Sequence, residues 1–355
     1  MQAWRLAAPG GAFTFTEVPL PTVRAGSVLV QIETAPILTY LKEYLEGRLA
    51  NYHYPPGPFT PGTSGVGTIV SVGADVWHFR PGQRVLLSPH ILAADNVPEP
   101  AQVLGGLTGI SADSGPLLEA WRDGTLAEYA LAPASAITAV EDVAASVDEL
   151  GTLGKLAVPY GGLLRGRFTA GEVIVVIGAS GSFGSAAVLL ACALGAERVV
   201  AAGRNAAALQ ELTRIDGKRV RPVALSGDVD ADLAALKLAA RGGADLTFDM
   251  VGRAQDSNAS MAGLKSLRRG GRLVLMGSMS VPLPLNYGEV MRNNWEIIGH
   301  FMYPPDTYRR ILALVRSGLL DLGAIEIKAF PLAEGPVALE AASKSSGLQV
   351  TIVKP

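Results

Sequence analysis

The stretch that most constrains this chain is Gly171–Gly184. An unbroken apolar run, GEVIVVIG, suits a strand buried on both faces. It leads directly into Ala179-Ser180-Gly181-Ser182-Phe183-Gly184 and an apolar helix read at Ser185–Leu194. A glycine turn between a buried strand and a helix is the setting the dinucleotide fingerprint requires. Gly181 lets the backbone approach a diphosphate, and Gly184 lets the helix lie close to the strand. The helix start offers free N–H groups and the positive end of its dipole to an anion. The pattern is AxGxxG, because Ala179 holds the place of the first glycine. The competing reading is a tight strand-to-helix turn that binds nothing.

Beyond this turn the chain keeps the same rhythm. Strands are read at Arg198–Ala202, Val220–Ala224, Asp245–Val251, Gly271–Met276 and Glu296–His300. Helices are read at Ala206–Arg214, Asp230–Arg241 and Ala259–Leu267, with an amphipathic helix at Tyr308–Ser317. Strands alternating with helices predict an α/β fold with a doubly wound parallel sheet. An acidic residue about 20 positions past the glycines would hold the ribose hydroxyls of NAD. Here that place falls at Gly203, Arg204 and Asn205. No carboxylate repels a 2′-phosphate and Arg204 can pair with one, so NADP(H) is expected over NAD(H). The alternative for Arg204 is a solvated residue at a helix start. Val251-Gly252 and Gly277-Ser278-Met279 close two of the strands, at the carboxyl ends where such sheets bind ligands.

The first 150 or so positions read differently. Strands at Phe13–Val18, Ser27–Ile32, Gly65–Val72, Gln83–Leu87 and Thr125–Leu131 are punctuated by Gly and Pro, as in a small irregular barrel. His90–Asp123 is a long excursion without period, hence functional or a lobe of its own. A helix is expected over Asp142–Leu164, and Leu348–Val353 is β again.

Composition removes several classes. Lys and Arg number 30 against 32 Asp and Glu, so no basic excess serves a nucleic-acid backbone. Mean hydropathy is +0.29. Even so, the densest apolar run, Ala186–Ala196, falls short of the roughly 18–20 residues of a membrane span. The N-terminus has no secretory pattern, and the single cysteine, Cys192, forms no internal disulfide; both point to the cytoplasm. One cysteine also excludes any zinc site that needs two thiolates. Inside an apolar helix, Cys192 reads as a small core residue.

Several motifs now combine. Gly178–Gly184 is similar to the GAxGGVG turn of the quinone reductases. Gly26-Ser27-Val28-Leu29-Val30 is similar to PGEVLV, and Pro81-Gly82-Gln83-Arg84-Val85 to PGDRV. Gly124-Thr125-Leu126-Ala127-Glu128-Tyr129 is similar to GGFAEY, and Gly270-Gly271-Arg272-Leu273-Val274 to GGRLV. Over essentially its whole length the chain resembles the medium-chain dehydrogenase/reductase superfamily, which includes zinc alcohol dehydrogenases and zinc-free quinone and enone reductases. The resemblance implies a GroES-like domain at 1–154, completed by 303–355, and a Rossmann domain at 155–302. The site would lie between them. It also implies a homodimer through a Rossmann edge strand, with Val281–Leu285 and Glu296–Gly299 as candidates. Pro282 and Pro284 argue against the first.

The departures bear on chemistry. Where the family's zinc enzymes carry a cysteine, this chain has Leu38. Their His-Glu pair is replaced by Thr63-Ser64, and the third ligand place, Ala157-Val158-Pro159, offers no donor. The four-cysteine lobe corresponds to His90–Asp123, which has none, so no metal is expected. Conjugate reduction asks less of a Lewis acid than carbonyl reduction does. The reading is therefore an NADPH-dependent oxidoreductase of small molecules, reducing the activated C=C of enones or quinones. Tyr40, placed where the family sets a relay hydroxyl, is the proton donor, with Thr63 and Ser64 as polar contacts. Alternatives remain: a zinc-free alcohol dehydrogenase or carbonyl reductase, or a cofactor-binding interaction protein without turnover. Tyr40 itself has the alternative of an aromatic wall with Tyr44, Tyr52 and Tyr54, and Thr63 and Ser64 that of turn hydroxyls.

Overall fold

A computed structural model describes all 355 residues. The apolar run lies at the centre of a six-stranded parallel sheet, as strand Val173–Ile177. Arg198–Gly203 and the edge strand Val220–Ala224 lie to one side; Ala244–Asp249, Leu267–Leu275 and Glu296–Gly299 lie to the other. Numbered along the chain, the order is 3-2-1-4-5-6, that of a Rossmann sheet. Ile174, Val175, Val176 and Ile177 are all fully buried, since helices cover both faces. Pro222 is accommodated because its strand is an edge.

The N-terminal part is GroES-like. Its seven-stranded sheet is built on the long strand Ser27–Ile37, which pairs with Gly65–Val72 and with Tyr129–Pro133. The C-terminal strand Gln349–Lys354 returns to pair antiparallel with the same strand, Thr351 opposite Ile37. The end of the chain is thereby built into the first sheet.

Several elements differ from the sequence reading. The strand expected at Thr125–Leu131 begins only at Tyr129; Ala127 makes a single isolated bridge to Ala3. The helix expected over Asp142–Leu164 starts at Val147, because Asp142 sits at φ 50° and Ser146 caps the helix with Glu149 in a capping box. It is interrupted at Thr152 before the helix Leu153–Arg165. Val281–Leu285 forms no strand, as its two prolines suggest. His90–Asp123 is a lobe of three short strands and the helix Gly115–Ala120, packed around Ile91, Val103 and Leu118. No helix is long and apolar enough to cross a membrane.

Candidate active site

The helix after the central strand begins at Ser182, a turn earlier than expected, with Gly181 as its N-cap in extended backbone. Gly178 adopts φ 79°, which favours glycine. A β-carbon on Gly184 would lie 2.1 Å from the Gly178 carbonyl oxygen, so only glycine lets the helix approach the strand this closely. The amides of Ser182, Phe183 and Gly184 find no acceptor within the chain. Three free donors at the positive end of a buried helix form an anion cradle.

The glycine turn, through Gly178, Ser180 and Gly181, opens into a cleft of about 1030 Å³. That volume lies at the upper end of typical ligand sites, in keeping with a dinucleotide. Ser180, Gly181, Gly203, Arg204, Asn205, Val251, Gly252 and Ser278 line it. Ala179 is fully buried and supports the turn from behind, its amide bonded to the Ala202 carbonyl at 2.9 Å. Ser182, Phe183, Gly184, Gly277 and Met279 also lie outside the lining. Arg204 is exposed and forms no ion pair with the chain. The Asn205 side chain accepts from the Ala208 amide at 3.1 Å, and so is engaged as a helix cap.

Asp249, which the sequence reading passed over, organises the far wall. It is buried at the carboxyl end of its strand. Its carboxylate accepts from the Val251 amide at 2.9 Å, and its carbonyl from the amides of Met276 and Gly277, each at 3.0 Å. One residue thus fixes the two loops beside the cleft. Burial raises its pKa, against the opposing hydrogen bond from the Val251 amide.

Tyr40, Thr63 and Ser64 do not line this cleft. Tyr40 precedes the short helix Leu41–Leu45, half-buried, its ring centroid 6.2 Å from that of Tyr52. Tyr44 and Tyr54 extend the aromatic group, stacked at 4.4 Å. Burial first, then Tyr52, pushes the Tyr40 phenol well above its ordinary pKa. From the same helix Glu43 forms an ion pair with Arg253, which does line the cleft. Tyr40 therefore stands at the seam of the two domains rather than in the nucleotide groove. Thr63 is buried. Ser64 is turned into the domain junction, its Oγ so close to Gly154 that a β-carbon there would lie 2.1 Å away. The buried Tyr308 hydroxyl, near Ser64 and Tyr303, reaches no partner within hydrogen-bond distance.

These residues do not fit a metal. No group of three His, Cys, Asp or Glu side chains gathers anywhere in the chain. His90 is committed elsewhere, with Nδ1 3.1 Å from the Tyr303 carbonyl and Nε2 3.2 Å from Gln102 Oε1; burial lowers its pKa. His300 follows the last sheet strand with its Nε2 buried and unpartnered. Burial pushes the Cys192 thiol up to about 11, as for an inert core cysteine.

Known proteins share this fold. Residues 24–142 match the family model of the alcohol dehydrogenase GroES-like domain, and residues 183–317 that of zinc-binding dehydrogenases. The L-threonine 3-dehydrogenase of Anaeromyxobacter dehalogenans (strain 2CP-C) is 27% identical over 327 residues, covering 89% of this chain and 88% of the relative. The sorbitol dehydrogenase of Bacillus subtilis (strain 168) is 24% identical over 327 residues, covering 92% and 89%. Among solved structures, 2R,3R-butanediol dehydrogenase from Bacillus subtilis superposes with a TM-score of 0.83 at 18% identity, covering 100% of this chain and 99% of the other. A structure from Sinorhizobium meliloti 1021 bound to NADP has a TM-score of 0.78 at 22% identity, covering 100% and 99%.

Proposed function

Because the chain belongs to the medium-chain dehydrogenase/reductase superfamily, we propose that it is an NADPH-dependent oxidoreductase that works without a catalytic metal and reduces the activated C=C of an enone or quinone. The observation that carries this reading is a pairing of opposites. The nucleotide side offers the free amides of Ser182–Gly184 and the unpaired Arg204, whereas the reacting side offers hydroxyls and no metal-ligand cluster.

A reduced nicotinamide nucleotide held by this turn and cleft would supply hydride for the β-carbon of the substrate, and the charge that results would rest on an enolate oxygen. Tyr40 would donate a hydrogen bond to that oxygen, and water would deliver the proton that the α-carbon takes up to complete the saturated product. The raised pKa of Tyr40 suits this role, because the phenol keeps its proton at neutral pH. For Tyr40 to act, the cleft must close further at the seam spanned by Glu43 and Arg253.

A second reading, reduction of a carbonyl or oxidation of a secondary alcohol, is favoured by the names of the relatives, which are threonine and sorbitol dehydrogenases. Incubation with NADPH and a matched pair, an enone and its saturated ketone, separates the two. Oxidation of NADPH by the enone alone, unaffected by a chelator, is expected. Turnover of the ketone, or of a secondary alcohol with NADP⁺, supports the second reading. Tight NADPH binding without turnover of any substrate supports an interaction protein. The homodimer is proposed with Glu296–Gly299 as its edge.

A further inference from the structure

The helix Leu153–Arg165 packs an apolar face into the junction of the two domains, with one exception. Lys155 is 8% exposed. Its Nζ donates to Ser182 Oγ at 3.0 Å, to the Gly347 carbonyl at 2.6 Å and to the Gln349 carbonyl at 3.2 Å. All three acceptors are neutral. Of the charged or titratable groups on the packed elements, Cys192 lies at the far end of the helix from Ser182, and Lys354 is at the far end of the last strand, paired with Asp148. Glu149 is engaged with Ser146, Lys344 with Glu340, and Arg165 stands three turns along the same helix. None faces Nζ. A buried ammonium without a counter-charge is costly, so a fold that keeps one has a use for its charge.

The geometry indicates that use. Ser182 Oγ takes a hydrogen from Lys155, so its own O–H points elsewhere, and it finds no acceptor in the chain. Beside it are the free amides of the cradle. The acceptor carbonyls belong to the C-terminal return, whose Gly347 amide also bonds to the Ser180 carbonyl at 3.2 Å. Lys155 is thus the one side chain that ties the phosphate turn to the segment completing the first domain.

Building on the dinucleotide reading above, we propose that Lys155 is the anion-positioning residue of the cleft. From behind the turn it supplies the charge that a bound diphosphate neutralises. It presents the Ser182 hydroxyl as a fourth donor, and it couples occupancy to the seating of residues 347–349 against the turn. Burial lowers the Lys155 pKa to about 7, so the charge is lost in the mildly alkaline range unless a diphosphate restores it.

The test is the dissociation constant of NADPH, by fluorescence titration, for the wild-type chain and for Lys155→Arg and Lys155→Met. From about pH 7 to about pH 9 the wild type is expected to weaken by roughly tenfold or more, the equivalent of one or more pKa units. The Arg variant keeps its charge and its affinity across this range. The Met variant binds weakly throughout, with a flat profile. Calorimetry of the wild type with NADH, in two buffers of different ionisation heat near neutrality, reads the same event without a variant, as net proton uptake on binding. A Met variant with wild-type affinity and profile, or wild-type binding without proton uptake, overturns this inference alone. Failure of the wild type to bind either nucleotide at any pH overturns the dinucleotide reading, and this inference with it.

Discussion

Arg253 and Glu43, 210 residues apart in the chain, form an ion pair from the cleft wall of one domain to the first helix of the other. The guanidinium, through its hydrogen bond, holds the Glu43 carboxyl below the usual carboxylate range. Arg253 is 76% exposed, so solvent screens the pair and its net worth is under about 1 kcal/mol. The pair is better suited to biasing closure than to holding the fold. Arg253→Ala is expected to leave the melting temperature within about 2 °C. Stopped-flow release of NADPH should become faster. An unchanged release rate would show that the pair does not gate the cleft.

Arg204 and Arg253 are the two cations of the cleft lining, and of these Arg204 directly follows the second strand of the sheet and has no ion-pair partner. Charge-assisted pairing with a 2′-phosphate is worth about 1.5–3 kcal/mol. Arg204→Ala is therefore expected to weaken NADPH binding by about tenfold or more and to leave NADH binding unchanged. Equal losses for both nucleotides would place Arg204 on the shared diphosphate instead.

Tyr40→Phe removes one hydroxyl from a half-buried aromatic group whose packing it preserves. A loss of kcat of about a hundredfold is expected, with the NADPH dissociation constant unchanged. Because burial and Tyr52 raise the pKa of Tyr40, the wild-type rate should show no alkaline limb from this residue below its ordinary value. A limb near neutrality that vanishes in the Phe variant would assign a lowered pKa and contradict the donor role.

Lys155 also links stability to pH. Its folded-state pKa is lowered from 10.5 to about 7, so between those values the unfolded chain binds a proton that the folded chain does not. The stability of the unliganded protein therefore rises with pH through that window, and the full penalty applies below it. In urea denaturation, the advantage of Lys155→Met over the wild type should shrink by about 2–3 kcal/mol between about pH 6 and pH 9. A constant difference would mean that Lys155 keeps its proton in the fold across this range, so that its pKa is not lowered.

The Rossmann half was legible because its signal is local. The apolar run 173–177 and the glycines at 178, 181 and 184 sit next to one another in the chain, and their constraint is steric. The first sheet was legible in kind but not in its limits. Pairing partners far away in sequence set where Tyr129–Pro133 begins and how far Ser27–Ile37 extends. The cofactor wall could be anticipated from strand ends. Asp249 could not, because its role rests on backbone bonds to two separate loops. Lys155 left one overlooked signal, a lone cation in LGKLAVPYGGLL whose nearest charged neighbour along the helix is Arg165. Its partners lie 27 and almost 200 positions away, so only the fold reveals what it holds. Ser64 is a related case. Family position suggests a polar contact between the domains, and only the fold shows that the missing side chain of Gly154 makes room there for the Ser64 hydroxyl.

The path of the hydride decides between the two chemistries. The metal-stripped enzyme is given NADPH deuterated at the transferable position of the nicotinamide, together with an enone, and the product is read by NMR. A saturated ketone carrying deuterium at the β-carbon is expected, formed at the same rate with and without added zinc. Deuterium on the carbonyl carbon of an allylic alcohol, or turnover only after zinc is restored, would contradict metal-free conjugate reduction.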